Sequence, residues 1–231
     1  MLGFLVVSAI SVITTAAAVA FARRGSEALT SVAAPGLAAG VMLWLALAEI
    51  GPQSSAELGT LTTAVAMVVG IALVWLTTAI AHRPTVAAGV APVIGIALFL
   101  HDIPEGLAVG ALVGSVGLVA SLPMIVAVTA HNLPEKLAFV GPARLEGAPL
   151  LPVVVAATVP EPIGAALAGV GAAAAPGVVP LAVAVAGGMM LAVALGTLPT
   201  MARRAAAWRP FLGAGSMGIA GMAMLTLLTQ A

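Results

Sequence analysis

Long apolar runs, broken only by short polar turns, constrain this chain more than any other feature. Between Ala148 and Ala202 the only charged side chain is Glu161, and from Leu29 to Ala81 there is no lysine or arginine. A run of about 20 apolar residues spans the bilayer hydrocarbon as a helix, which satisfies its own backbone hydrogen bonds where water is excluded. Of the 231 residues 62% are hydrophobic and 7% charged, against roughly 25% charged in a soluble domain. The expected fold class is therefore all-α, a polytopic membrane protein.

Hydropathy and helix breakers predict one transmembrane domain over residues 1–231, with eight spans at 2–22, 32–50, 61–81, 86–115, 121–141, 150–174, 178–199 and 211–230. Gly51-Pro52-Gln53-Ser54-Ser55, Arg83-Pro84, Gly141-Pro142 and Pro176-Gly177 read as turns, and His82 as a solvated helix end. Pro104 is expected to interrupt a long fourth span, Pro134 falls in the fifth, and Pro160 and Pro162 in the sixth, so these three helices are expected to be kinked. The first apolar run has no basic segment before it, and Arg23 and Arg24 lie on its far side, so it reads as a retained helix rather than a cleaved signal.

Charge placement sets an expected orientation. All seven arginines (Arg23, Arg24, Arg83, Arg144, Arg203, Arg204 and Arg209) fall in odd-numbered loops, and the even-numbered loops hold no lysine or arginine. By the positive-inside rule the arginine side is cytoplasmic and both termini face outward. A net charge of zero and the lack of a basic stripe argue against nucleic-acid binding. With no cysteine there are no disulfides and no thiolate ligands. The spans leave no room for a soluble nucleotide-hydrolysing domain, and no organic cofactor is implied.

Once the loop charges are removed, a short set of intramembrane polar groups remains: Glu49, His101, Asp102, Glu105, His131, Asn132, Glu135, Lys136 and Glu161. Each costs about 2.5–3.5 kcal/mol at mid-membrane on insertion scales, so several on adjacent helices imply a shared partner or water. His101-Asp102-Ile103-Pro104-Glu105-Gly106 and His131-Asn132-Leu133-Pro134-Glu135-Lys136 repeat one pattern thirty residues apart. Positions four apart share a helix face, so His101 aligns with Glu105 and His131 with Glu135. Imidazole and carboxylate without sulfur suit Zn²⁺, Fe²⁺, Mn²⁺ or Co²⁺ and argue against Cu⁺. His101, Glu105, His131 and Glu135 can supply four ligands to one ion. Asp102, Asn132 and Glu161, about 100° round their helices from neighbouring groups, can face a second ion or a water-filled approach. The blander alternative is two His–Glu hydrogen bonds that staple two helices, at an average of about 0.6 kcal/mol each.

Prolines and one lysine refine the reading. Pro104, Pro134 and Pro162 free the carbonyls of Leu100, Ala130 and Thr158, and each freed oxygen needs a new partner in hydrocarbon. Lys136 lies four residues after Asn132, where its ammonium can stand in for a second cation, or else snorkel to the cytoplasmic surface. Glu49 ends the second span, as part of an entrance or as an interfacial carboxylate. Ala39-Gly40-Val41-Met42-Leu43 is echoed by Gly187-Gly188-Met189-Met190-Leu191, a trace of the inverted repeats found in transporters or a chance match among abundant small residues.

Both His motifs resemble the His-Asn-x-Pro-Glu-Gly signature on the fourth and fifth membrane helices of ZIP-family (Zrt/Irt-like) divalent-metal transporters. Glu161-Pro162-Ile163-Gly164-Ala165 resembles the Glu-Pro-x-Gly-Ala stretch of that family's sixth helix. The chain departs from the pattern at Asp102, where Asn is usual, and at Lys136, where Gly is usual. The resemblance implies an eight-helix inverted-repeat bundle in the plasma membrane (the inner membrane in a bacterium) and a homodimer. It also implies uptake of a divalent metal, zinc first among candidates, through a site between helices 4 and 5. Metal ion and bilayer are the expected partners, with the metal as substrate. Protons compete with metal for such ligands, so uptake is expected to depend on pH.

An enzyme is not expected. The spacing is His-x-x-x-Glu rather than the His-Glu-x-x-His of metalloproteases, and Gly215-Ser216-Met217-Gly218 has the wrong order for a membrane serine hydrolase. A proton or monovalent-ion pathway remains the alternative, because Lys136 makes the second motif atypical.

Overall fold

The computed structural model describes residues 1–81, 90–171 and 177–230. The expected turn at Arg83-Pro84, with His82 beside it, and the Pro176 half of the later turn lie outside the described residues. Among the described residues every regular element is a helix. They form eight units: α1 Leu2–Arg24, α2 Leu29–Leu58, α3 Thr60–Ala81, α4 Val90–Ala120 and α5 Leu122–Leu145, then α6 in two pieces, Leu150–Thr158 and Pro160–Gly171, α7 Val178–Arg204 and α8 Trp208–Gln230. Seven of these are long and apolar enough to cross a bilayer. The other, α5, has 24 residues, long enough by rise per residue, but spends its middle on His131, Asn132, Glu135 and Lys136.

Two of the expected turns are corrected. Helix α2 runs through Gly51-Pro52 to Leu58, because Pro52 falls in the first turn of an α-helical segment that follows a π-helical stretch, Leu45–Ile50, where a missing N–H costs little. The chain turns instead at Gly59, whose φ of 83° lies in the left-handed region that glycine tolerates. Helix α5 likewise continues past Gly141-Pro142 to Leu145, and the turn comes at Gly147. Gly141 is there for a close approach: a β-carbon on it would press on Thr30 of α2 at 2.9 Å. Pro104 does not interrupt α4, which is helical on both sides of it and departs from helical geometry at Gly117. Pro134 also sits inside a continuous helix, whereas α6 breaks at Val159, just before Pro160 and Pro162.

Small residues set the closest seams. A β-carbon on Gly106 would collide with the backbone of Glu161, and one on Gly164 with the backbone of Ile103, so α4 and α6 pack main chain to main chain. Gly70 against Val185 and Gly188 against Met67 do the same for α3 and α7, as do Gly36 against Phe211 and Gly40 against Gly215 for α2 and α8. Gly3 meets Gly110, bringing α1 onto α4. With α5 packed on α1 and α4 as well as on α2, helices α1, α4, α5 and α6 form one group and α2, α3, α7 and α8 another. Between them lies an aliphatic core that includes Leu98, Phe139, Met42, Met190 and Val193, all buried. The motif residues of α4 and α5 and the Glu161 of α6 belong to the first group.

Candidate metal centre

The two motifs meet across α4 and α5, and each histidine reaches the glutamate of the opposite motif rather than that of its own. His131 Nε2 lies 3.1 Å from Glu105 Oε2, and His101 Nε2 lies 3.5 Å from Glu135 Oε2 and 3.3 Å from Asp102 Oδ1. His101, Asp102, His131, Asn132, Glu135, Lys136 and Glu161 are buried to 3% exposure or less, and Glu105 to 8%. Two triads result, His101–Asp102–Glu135 and Glu105–His131–Glu135, each with ligand atoms within 4.8 Å of one another and with Glu135 common to both.

The backbone settles the chemistry at His101. Its Nδ1 lies 2.8 Å from the carbonyl oxygen of Ala97, one turn back on α4. A carbonyl only accepts, so Nδ1 carries the proton and donates. In the neutral ring Nε2 then presents a lone pair directly at two carboxylates. Lone pair against lone pair in a dry interior is repulsive, and a cation between them turns all three into ligands. An imidazole whose distal nitrogen is fixed by a backbone carbonyl is the arrangement by which proteins orient a metal-binding histidine. The unmet groups extend through the cluster: Asp102 Oδ1 and Oδ2, Glu105 Oε1, Glu135 Oε1 and Oε2, His131 Nδ1 and both amide atoms of Asn132 are buried with no hydrogen-bond partner among the described residues. Native interiors leave few such atoms, and their concentration here points to a ligand.

At the other end of the cluster the ammonium is fully paired, although Glu161 Oε2 and Thr158 Oγ1 beside it are also without a partner among the described residues. Lys136 Nζ lies 2.6 Å from Glu161 Oε1 and donates to Ser11 Oγ at 2.9 Å and Thr14 Oγ1 at 3.0 Å, so its three N–H donors have three acceptors. The ammonium therefore turns inward rather than snorkelling. The single Ser11 proton is shared between Thr158 O at 2.9 Å and Glu161 Oε1 at 3.2 Å. The carbonyl freed by Pro162 thus finds a hydroxyl partner, and Thr15 Oγ1 donates to the neighbouring Ala157 O at 3.1 Å. Ser11 and Thr14 were not singled out from the sequence. The available signal was the spacing of Ser8, Ser11, Thr14 and Thr15, which marks one polar stripe on an otherwise apolar helix.

Glu49 stands apart from the cluster, half-buried on α2. Its Oε1 accepts from Thr226 Oγ1 at 2.5 Å and from Trp44 Nε1 at 3.2 Å. It lines a cavity of about 1210 Å³ that also touches Glu105 and His131 but not His101, Asp102 or Glu135. No family model and no curated protein matches this chain.

Proposed function

We propose that the chain carries a divalent transition-metal cation across a membrane through the site shared by α4 and α5. The single observation that carries this reading is the His101 imidazole, held through Nδ1 by Ala97 so that Nε2 faces Asp102 and Glu135. The donor set suits zinc, iron and manganese alike, and zinc is put first on the family resemblance alone. The resemblance of the three motifs to the ZIP family supports the same function.

In this reading one ion occupies the two triads in turn, and Glu135, common to both, never releases it between them. The Glu105–His131 side borders the cavity and receives the ion, and the His101–Asp102 side holds it deeper. Lys136 supplies the second positive charge, so one tightly held metal per chain is expected. The arginines support an orientation with the cavity mouth and both termini outside and the opposite end in the cytoplasm, in the plasma membrane or a bacterial inner membrane. A divalent ion moving inward gains about 4.6 kcal/mol per 100 mV, twice the single-charge value. The group α1, α4, α5 and α6 moves against α2, α3, α7 and α8 to alternate access. The echo between Val41-Met42-Leu43 and Met189-Met190-Leu191 supports an inverted-repeat plan, since a π-helical segment, Leu45–Ile50 or Val193–Thr197, follows each at the same offset. The family's dimers support a homodimer.

The alternative, a proton or monovalent-ion pathway, draws on Lys136, whose ion pair with Glu161 already fills one end of the cluster. Purified protein in liposomes loaded with a metal-sensitive dye separates the two. Metal-dependent quenching abolished by both His101→Ala and Glu135→Ala is expected; proton flux with no metal uptake would favour the alternative.

A further inference from the structure

The large cavity has a second carboxylate feature that the buried site does not use. Glu49, Gln53 and Glu57 recur every fourth residue at the end of α2, and all three line the cavity. At about 1.5 Å per residue they climb roughly 12 Å from the half-buried Glu49 to the exposed Glu57. They are held in place: Thr226 and Trp44 grip one oxygen of Glu49, and Gln53 Nε2 donates to Glu57 Oε1 at 3.3 Å. Among the described residues no lysine or arginine lines the cavity. Deeper in the same lining are Glu105 and His131, each more than nine-tenths buried, with Glu105 Oε1 and His131 Nδ1 unpartnered. Exposed, half-buried and buried carboxylates thus line one cavity. Among the described residues three carboxylates line it against the one α-ammonium of Met1, and a predominantly acidic passage with low-dielectric walls concentrates cations and raises their arrival rate.

We propose that Glu49 and Glu57 form an outer station that receives a hydrated divalent cation in this cavity before the buried site takes it. The proposal rests on the reading of the buried cluster as a divalent-cation site. Its occupant keeps its water, because only one oxygen of Glu49 is free of Thr226 and Trp44 and no imidazole stands beside it.

Trp44 is a built-in reporter, since its indole N–H touches Glu49. With Trp75→Phe and Trp208→Phe leaving Trp44 as the single tryptophan, Mn²⁺ is titrated against its fluorescence in detergent. Quenching is expected to persist when Glu135→Gln removes the buried site, and to need at least ten-fold more Mn²⁺ in the double variant Glu49→Gln with Glu57→Gln. An amide in place of the Glu49 carboxylate keeps the acceptor oxygen that Thr226 and Trp44 require, so that variant alters charge and not fold. In liposomes the same pair of substitutions is expected to lower kcat/KM about ten-fold at low salt and little at high salt. Quenching that is absent, or unchanged in the double variant, overturns the outer station whether or not uptake is observed. Loss of uptake in the wild type, with Trp44 quenching intact, would instead overturn the transport reading and leave cation capture at the mouth.

Discussion

The two ends of the buried polar cluster meet on α5, at the adjacent residues Glu135 and Lys136, yet they solve opposite problems. Around Lys136 every donor has an acceptor: Glu161, Ser11 and Thr14 take its three protons. Around His101 the ring Nε2 and carboxylates from two helices face one another at 3.3 and 3.5 Å, and neither contact has hydrogen-bond geometry. A closed ion pair stabilises the fold only while both partners remain, whereas facing carboxylates and imidazoles stabilise it only with a proton or a metal cation between them. The difference teaches which part of the cluster is architecture and which part is a binding site.

Substitutions on the two sides should therefore move stability in opposite directions. Lys136→Met leaves Glu161 buried and unpaired and is expected to destabilise the protein by about 3–5 kcal/mol. Lys136→Met combined with Glu161→Gln should recover most of that, as read from thermal unfolding in detergent. On the open side Glu135→Gln removes one uncompensated charge. It is expected to stabilise the metal-free protein by about 1–3 kcal/mol and to cost metal affinity more than the roughly 10–100-fold typical of outer partners. If Glu135→Gln destabilises the protein as Lys136→Met does, the contrast between the two ends fails.

Smaller effects sharpen the same contrast. Gly106→Ala drives a methyl group into the backbone of Glu161 and should cost about 1–3 kcal/mol by overpacking. Ser11→Ala removes one of the three Lys136 acceptors and the partner of Thr158 O, for a loss of about 1–2 kcal/mol. In this variant metal affinity, measured by calorimetry, should fall less than ten-fold. A larger fall would mean that α1 shapes the open side as well.

Much of this was legible from the residues alone. The helix count follows from hydropathy because a bilayer fixes element length, and the convergence of the motifs follows from helical period and their polar cost. Local breakers were less informative. Gly-Pro at positions 51–52 and 141–142 reads as a turn in water, yet one pair sits in the first turn of a helical segment and the other at a tight contact with Thr30. The pairing inside the cluster was also hidden. Spacing aligns His101 with Glu105, whereas the helix crossing places it against Glu135, and a helix crossing is set by tertiary packing that the local period does not carry. The turn of Lys136 toward Glu161 depended on Ser11 and Thr14, more than a hundred residues away in sequence.

Counting metal is the most direct test of the central claim. Equilibrium dialysis of the purified protein against Zn²⁺, with bound metal measured per chain, should give one tightly held ion in the wild type and none in Glu135→Gln. Two tightly bound ions per chain, with Lys136→Gly leaving that count unchanged, would contradict the claim that an ammonium fills one end of the cluster and a single divalent ion the other.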